Sequence, residues 1–316
     1  MTATVSLSTV VARRGSKGKR VVARDGITGT IYLGDNLPIL RHLPAESVDL
    51  VYLDPPFNTG ATRRYTRLKT TATEDGDRLG FGDRRYATVK VGSVAYGDLF
   101  DDYLAFLEPR LRQVHRLLAT TGSLYLHLDQ REVHYVKVLL DGIFGRANFL
   151  NEIIWAYDYG GRSKKRWPAK HDTILVYVKD QNRYWFDHAA VERVPYLAPG
   201  LVGAAKAARG KTVTDCWWQT IVPTNGRERT GYPTQKPLAI LRRIVAVSSR
   251  PGDLVLDAFA GSGTTGAACL ELGRRFLLID NQPEAIEVMA RRFSDVPDLT
   301  WIGRDSEAPT RTKDSA

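Results

Sequence analysis

At 316 residues, with 43% hydrophobic and 25% charged side chains, the chain can bury one large core or two modest ones, which excludes a collagen-like or largely disordered protein. No run of about 18 apolar residues occurs, which argues against a membrane-spanning helix. The 45 Lys and Arg against 35 Asp and Glu leave a net charge of +10, which favours a polyanionic partner, nucleic acid first.

Residues 1–26 hold six basic side chains and no acidic one before Asp25: Arg13, Arg14, Lys17, Lys19, Arg20 and Arg24. A solvated tail is the first reading, ahead of a phosphate-touching arm and an organelle presequence. Short apolar runs then alternate with helix-like segments. Strands are expected at 31–33, 48–53, 123–128, 153–157, 174–178, 254–259 and 276–279. Helices are expected at 101–118, 132–140, 238–248, 264–272 and 284–293. Strand–helix alternation implies a mostly parallel, doubly wound α/β sheet. Two stretches break the rhythm. Residues 59–97 are polar and rich in Gly, Thr and Arg, and read as a long insertion or loop of the kind that usually serves function. Residues 182–214 read as a small inserted region. The expected division is 1–26 tail, 27–181 and 215–296 as halves of one domain, 182–214 between them, and 297–316 a C-terminal tail.

Asp257-Ala-Phe259-Ala-Gly261-Ser262-Gly263-Thr264-Thr265-Gly266 follows an apolar strand and opens a helix. The glycine spacing permits a tight turn and close approach of a ligand to the backbone. Asp280 ends the next strand, where its carboxylate can accept from both ribose hydroxyls of a nucleoside-bearing cofactor. A nicotinamide dinucleotide is one such cofactor. An acid as early as Asp257 instead suits a cationic ligand group, such as the ammonium and sulfonium of S-adenosylmethionine.

Asp54-Pro55-Pro56-Phe57 sits at the end of another strand. Ligands bind at that edge of open α/β sheets. The prolines fix φ and remove two N–H donors, leaving stiff carbonyl acceptors. The Asp54 carboxylate and Pro55 carbonyl could grip both hydrogens of an exocyclic amine. Phe57 offers a face for a planar base, a stacking worth about 1–3 kcal/mol.

Asp54-Pro-Pro-Phe-Asn-Thr-Gly60 followed some two hundred residues later by the Asp257 glycine loop resembles the β group of bacterial DNA amino-methyltransferases. Tyr232-Pro-Thr-Gln-Lys236-Pro-Leu resembles that group's approach to the glycine strand, and Gly122-Ser-Leu-Tyr-Leu-His-Leu-Asp129 resembles the strand after its catalytic motif. The likeness covers about 28–180 and 215–293. It implies a permuted Rossmann-like fold that uses S-adenosylmethionine, with 182–214 as the target recognition region and 59–97 sharing its task. It implies Asp54, Pro55, Pro56 and Phe57 as the catalytic set. It implies a cofactor pocket from Asp35, Asn36, Asp257, Phe259, Gly261, Ser262, Gly263, Thr264, Thr265, Asp280 and Asn281, with Lys236 near it. Asp54 at the first motif position favours adenine N6 over cytosine N4, since Ser is usual there for cytosine. Double-stranded DNA is the implied partner, in the cytoplasm and nucleoid of a bacterial or archaeal cell, with a homodimer and a cognate restriction endonuclease as further partners the likeness allows.

Catalysis would rest on alignment of the amine with the methyl group and on fixed dipoles, with no metal. The target base must leave the duplex. Cys216 and Cys269 are too few for a disulfide framework or a four-cysteine metal site, and neither has the Pro-Cys setting of methylation at cytosine carbon 5. His115, His134 and His188 lack metal-ligand spacing. Arg63 and Arg64 in the insertion, and Arg162, Lys164, Lys165 and Arg166 beside Tyr157, Tyr159 and Trp167, are candidate DNA contacts. Trp217 and Trp218 both read as core. Two other readings stand beside the methylase: a nicotinamide-dependent oxidoreductase, which leaves Asp54 to Phe57 unexplained, and a DNA-binding protein on an inactive methylase fold.

Overall fold

The computed structural model describes residues 28–58, 61–72, 78–79, 85–98, 100, 102–160, 163–223 and 225–303. The basic N-terminal segment, Arg162 and residues 304–316 lie outside these. In chain order the elements are β1 (Gly29–Leu33), α1 (Asn36–His42), β2 (Val48–Leu53), β3 (Ala61–Ala72), β4 (Arg78–Leu79), β5 (Arg85–Asp98), α2 (Tyr103–Leu117), β6 (Leu118–Leu128), α3 (Val133–Phe144), β7 (Phe149–Ala156), β8 (His171–Val178), β9 (Arg193–Val194), α4 (Ala204–Arg209), β10 (Lys211–Thr212), β11 (Cys216–Trp218), α5 (Leu238–Ser248), β12 (Leu254–Asp257), α6 (Thr264–Leu272), β13 (Arg275–Asp280), α7 (Pro283–Arg292) and β14 (Leu299–Ile302).

Nine strands form one sheet in the order β11-β7-β8-β6-β2-β12-β13-β1-β14. Only β8 runs against its neighbours; the other pairings are parallel. The central strands are apolar almost throughout because both faces are covered. Leu50, Val255, Phe276 and Leu278 pack with Ile240, Leu241 and Ile244 of α5, Ala268 of α6, and Ile286 and Met289 of α7. Leu40 of α1, Leu107 and Leu111 of α2 and Val136 and Leu140 of α3 are buried as well. Each such side chain contributes roughly 1.5–3 kcal/mol on burial.

The parallel order brings β2, from the first half of the chain, beside β12, from the second. This is the strand crossover that joins the two motifs. Five adjacent parallel strands, β6, β2, β12, β13 and β1, then end at or just before an acid: Asp129, Asp54, Asp257, Asp280 and Asp35.

Three expectations need correction. The 59–97 stretch is not a loop: β3 pairs antiparallel with β5 over twelve positions, and β4 pairs with β5. Its Thr, Tyr and Val residues carry strand propensity that its overall polarity masks. Residues Pro56–Tyr103 form a compact unit of their own, apart from the unit holding the nine-stranded sheet. The C-terminal tail starts later than 297, because Leu299–Ile302 adds as an edge strand parallel to β1. Trp218 is 79% exposed while Trp217 is 5% exposed. Successive strand residues face opposite ways, and β11 is an edge strand, so only one tryptophan of the pair reaches the core. Within 182–214 the elements are short: a β9–β10 antiparallel pair and the six-residue α4.

Candidate active site

Asp54 leaves the carboxyl end of β2 with its side chain 16% exposed. Lys236 Nζ forms an ion pair with its Oδ2. Its Oδ1 lies 3.5 Å from His127 Nδ1 and has no hydrogen-bond partner among the described residues. Pro55 is buried. Pro56 and Phe57 open the second unit. The ammonium of Lys236, a residue expected near the cofactor pocket, is on the Asp54 carboxylate, while its backbone carbonyl accepts from Thr264 Oγ1 at 3.3 Å. The approach segment thus ties the start of α6 to the end of β2.

Asp257 is 3% exposed. Its Oδ2 accepts from Thr265 Oγ1 at 2.5 Å and its Oδ1 from the Phe259 N–H at 3.0 Å. Burial pushes its carboxyl up to about 7; the two hydrogen bonds oppose this, and the charges of Asp54 and Asp280 add to it. Asp280 is likewise raised, first by burial, although the backbone N–H groups of Gln282, Gly261 and Asn281 counter it. Its Oδ2 accepts from Gly261 N at 2.8 Å and its Oδ1 from Gln282 N at 2.9 Å. A carboxylate has about four acceptor positions, so with three backbone N–H groups on it about one remains for a hydroxyl donor. The crowding of negative charge at Asp54, Asp257 and Asp280 fits a cationic ligand, which relieves the repulsion recorded at Asp257.

The glycine loop divides its labour. Gly261 has φ +51°, and a Cβ there would meet the Tyr232 ring at 3.1 Å. Gly263 has φ +73°, caps α6, and a Cβ would meet Met289 at 2.8 Å and Phe293 at 2.9 Å. It is a packing glycine. Ser262, Thr264 and Thr265 are 4%, 4% and 1% exposed. Their hydroxyls bond inside the protein: Ser262 with Thr264 at 3.0 Å, and Thr265 with Asp257. They hold the loop's shape. Phe259 is half-buried beside Phe106, ring centroids 6.2 Å apart. Asn281 is exposed and accepts from Gln282 Nε2 at 2.9 Å.

Asp35 is exposed and caps α1 by accepting from Leu37 N at 3.2 Å. Asn36 is buried; its Nδ2 donates to the Ala258 carbonyl at 2.7 Å, which fastens α1 to the turn before the glycine loop. Arg110 of α2 joins both. Its Nε donates to Asn36 Oδ1 at 2.7 Å and its Nη2 to Asp35 at 2.9 Å, while its guanidinium lies 3.9 Å from the Phe106 ring centroid.

Sequence reasoning missed Arg110, His127, Tyr52 and Asp172, and named Tyr157 only beside the basic run at 162–166. His127 is fully buried on β6. Its Nδ1 is 3.0 Å from Tyr52 Oη and its Nε2 is 3.3 Å from Asp172 Oδ2. Tyr157 Oη donates to Asp172 Oδ1 at 3.1 Å. One signal was available. His127 is a lone polar residue in the apolar run Leu124-Tyr-Leu-His-Leu128, on the same side as Tyr125 at strand period. Its partners come from β2 and β8, and no spacing rule joins those to β6.

Lys164, Lys165 and Arg166 are exposed, beside Tyr159 at 64% and Trp167 at 95% exposure. Ser163 Oγ accepts from the backbone N–H groups of Lys165 and Arg166 at 3.1 and 3.2 Å, which turns the loop there. Arg63 and Arg64 fall on β3. No group of three His, Cys, Asp or Glu among the described residues is placed to hold a metal ion. No described helix is long and apolar enough to cross a membrane.

The family model described as DNA methylase, N6_N4_Mtase, matches residues 48–291, which is most of the chain and includes both motifs. The chain belongs to this DNA methylase family. It is 32% identical over 277 residues to the DNA adenine methyltransferase YhdJ of Escherichia coli K12, covering 84% of this chain and 82% of that protein. It is 29% identical to the type II methyltransferase M.HpaI of Haemophilus parainfluenzae, covering 84% and 73%. The fold matches the M1.HpyAVI–SAM complex with a TM-score of 0.54 at 20% identity, over 84% of this chain and 98% of that one. It also matches the cytosine-N4-specific PvuII DNA methyltransferase with a TM-score of 0.57 at 18% identity, over 84% and 86%. The methylase fold, a permuted α/β sheet of the S-adenosylmethionine-dependent class, is therefore as the motif order implied. The family's reaction is methylation of an exocyclic amino nitrogen, which sets aside the nicotinamide-dependent oxidoreductase.

Proposed function

We propose that this methylase modifies the N6 amine of an adenine flipped out of double-stranded DNA. The observation that carries the reading is Asp54, a carboxylate at a strand end whose Oδ1 has no hydrogen-bond partner among the described residues, next to a buried Pro55. An amino nitrogen conjugated to a purine is a weak nucleophile. Hydrogen bonds from its two hydrogens to Asp54 and the Pro55 carbonyl would pull it towards sp³ and free its lone pair. Phe57 would stack on the base, and Pro56 would stiffen the motif. S-adenosylmethionine, when bound, supplies an electrophilic methyl carbon on its sulfonium. Asp280 would hold its ribose hydroxyls, Asp257 would face its positive charge, and Thr265 would orient Asp257. The contribution is alignment and preorganised dipoles.

Adenine is favoured by Asp rather than Ser at position 54 and by the name of the Escherichia coli relative. Lys164, Lys165 and Arg166, with Trp167 and Tyr159, are suited to phosphates and unpaired bases. Residues 182–214, with 59–97, are the proposed target-reading parts. The substrate would be bacterial DNA in the cytoplasm. A homodimer and a cognate endonuclease remain proposals of the same likeness.

The test is to incubate the protein with unmethylated DNA and S-adenosylmethionine, digest to nucleosides and measure masses. N6-methyladenine supports the reading. N4-methylcytosine retains the chemistry and overturns the base assignment. No methylated base on any DNA, with cofactor binding intact, overturns the activity.

A further inference from the structure

The deepest feature of the site is a chain of groups behind Asp54 that the alignment chemistry does not use. We propose that His127 is the receptacle for the proton that the target amine must lose, taking it from Asp54 and sharing it with Asp172. This rests on the amine-methylation reading above.

The argument begins with the tautomer. Nε2 of His127 faces Asp172 Oδ2 at 3.3 Å. The Asp172 carboxyl is held below the usual range. Burial would raise it, but the hydrogen bonds from His127 and the Tyr157 hydroxyl and the charge of Lys236 oppose that. It is ionised and only accepts, so Nε2 carries the hydrogen. Nδ1 is then the acceptor. Tyr52, whose phenol burial keeps protonated, donates to it at 3.0 Å. The same Nδ1 stands 3.5 Å from Asp54 Oδ1. Both atoms are acceptors, so no hydrogen bond can form between them, and Oδ1 is left buried and without a partner among the described residues. A proton on Nδ1 would give the buried Oδ1 a donor, in exchange for the hydrogen bond that Nδ1 accepts from Tyr52.

The reaction delivers that proton. The amine lone pair forms the new N–C bond while the methyl carbon's bond to sulfur breaks, its electron pair staying on sulfur. The nitrogen becomes cationic and sheds one proton to Asp54. Transfer from Asp54 Oδ1 to His127 Nδ1 restores the carboxylate and leaves an imidazolium between two carboxylates, Asp54 and Asp172. Among the described residues, the titratable and charged groups that bear on it include Tyr52 of β2, Asp54 just after β2 and Asp172 of β8. Tyr157 acts through Asp172, and Lys236 through the far oxygen of Asp54. Trp155 of β7 meets the ring edge-on, centroids 5.4 Å apart, and is uncharged. His127 acts through Asp54 and is a positioning residue.

Two measurements test this. The first needs no substrate: the His127 imidazole is titrated by NMR in the cofactor-free chain. Asp172→Asn and Asp54→Asn should each move its midpoint to lower pH by about half a unit or more, because each removes a negative charge that favours imidazolium. Lys236→Met should move it upward. Midpoints that ignore all three substitutions overturn the proposal. The second is single-turnover methyl transfer at saturating cofactor and DNA. The wild-type rate should fall on the acid side, because a proton already on Nδ1 leaves no place for the one the reaction sheds. His127→Gln should lose that limb and fall about 10–100-fold, within the range of acid–base contributions, with cofactor and DNA affinities within about threefold. An unchanged limb and a rate within about threefold overturn the proposal. If His127→Gln does not fold, Asp172→Asn carries this arm: its acid limb should move to lower pH, and an unmoved limb overturns the relay. Should the wild type methylate no DNA, the functional reading falls, and the NMR titration alone decides whether the charge relay exists.

Discussion

Replacing Asp257 with Asn probes the electrostatics of the cofactor edge. Burial, aided by Asp54 and Asp280 and opposed by the Thr265 and Phe259 hydrogen bonds, raises this carboxyl from 3.8 to about 7. In the unfolded chain it titrates near pH ~3.9. Between about pH 4 and 7 the folded chain therefore holds a proton that the unfolded chain has lost. Stability from this group is full below about pH 4 and is lost as pH rises through about 7. About three units at ~1.4 kcal/mol each give a penalty on the order of 4 kcal/mol at pH ~8, an upper bound for a site that can relax. The Asn amide retains an acceptor for Phe259 N–H and carries no charge. Asp257→Asn should thus melt above wild type at pH ~8, by about 5–10 °C for a domain of this size, with the gap closing towards pH ~5. The same variant should bind S-adenosylmethionine about 10–100-fold more weakly, since a hydrogen bond to a charged group is worth ~1.5–3 kcal/mol. Calorimetric melts of the ligand-free chain at both pH values and a binding titration measure these. A variant less stable than wild type at the higher pH, or a gap independent of pH, would refute the reasoning.

Asp54→Ala should abolish methyl transfer while leaving cofactor affinity within about threefold; full activity in the nucleoside assay would remove Asp54 from the catalytic set. Gly263→Ala should cost about 1–3 kcal/mol in denaturant melts, because the new Cβ meets Met289 and Phe293 at a positive φ; a neutral result would mean that α7 yields freely. Arg110→Ala should cost about 1–3 kcal/mol, chiefly by leaving the buried Asn36 Oδ1 without its donor, the exposed Asp35 pair adding little, and Arg110→Lys should restore little of it, since one ammonium cannot reproduce the guanidinium geometry. Trp217→Ala should lower stability by about 3–5 kcal/mol, whereas Trp218→Ala should leave the melt nearly unchanged. Equal losses of stability in the two variants would refute their placement on opposite faces of β11.

The amino-acid sequence alone determined the family, the order of its motifs and the central strands. Those strands are long apolar runs ended by Asp, Pro or Gly, and their signals are local. Asp54, Asp257 and Asp280 were legible because each sits at a strand end whose position along the chain is plain. The edge strands β11 and β14 were not. They are three and four residues long, and their pairing with β7 and β1 comes from neighbours far along the chain. For the same reason Trp217 and Trp218, adjacent in sequence, could not be told apart until β11 was seen at the sheet edge. The β3–β5 pairing was hidden because its strands are polar and charged. Only the tertiary structure put Lys236 on Asp54, Arg110 across Asp35 and Asn36, and His127 between Asp54 and Asp172. Each of these contacts joins side chains separated by tens to hundreds of residues, which a parallel sheet brings to one edge by stacking strands in an order unlike that of the chain. What the sequence specifies locally is the strand and the acid at its end. Which charges then face one another, and so which carboxyl holds a proton, depends on that stacking.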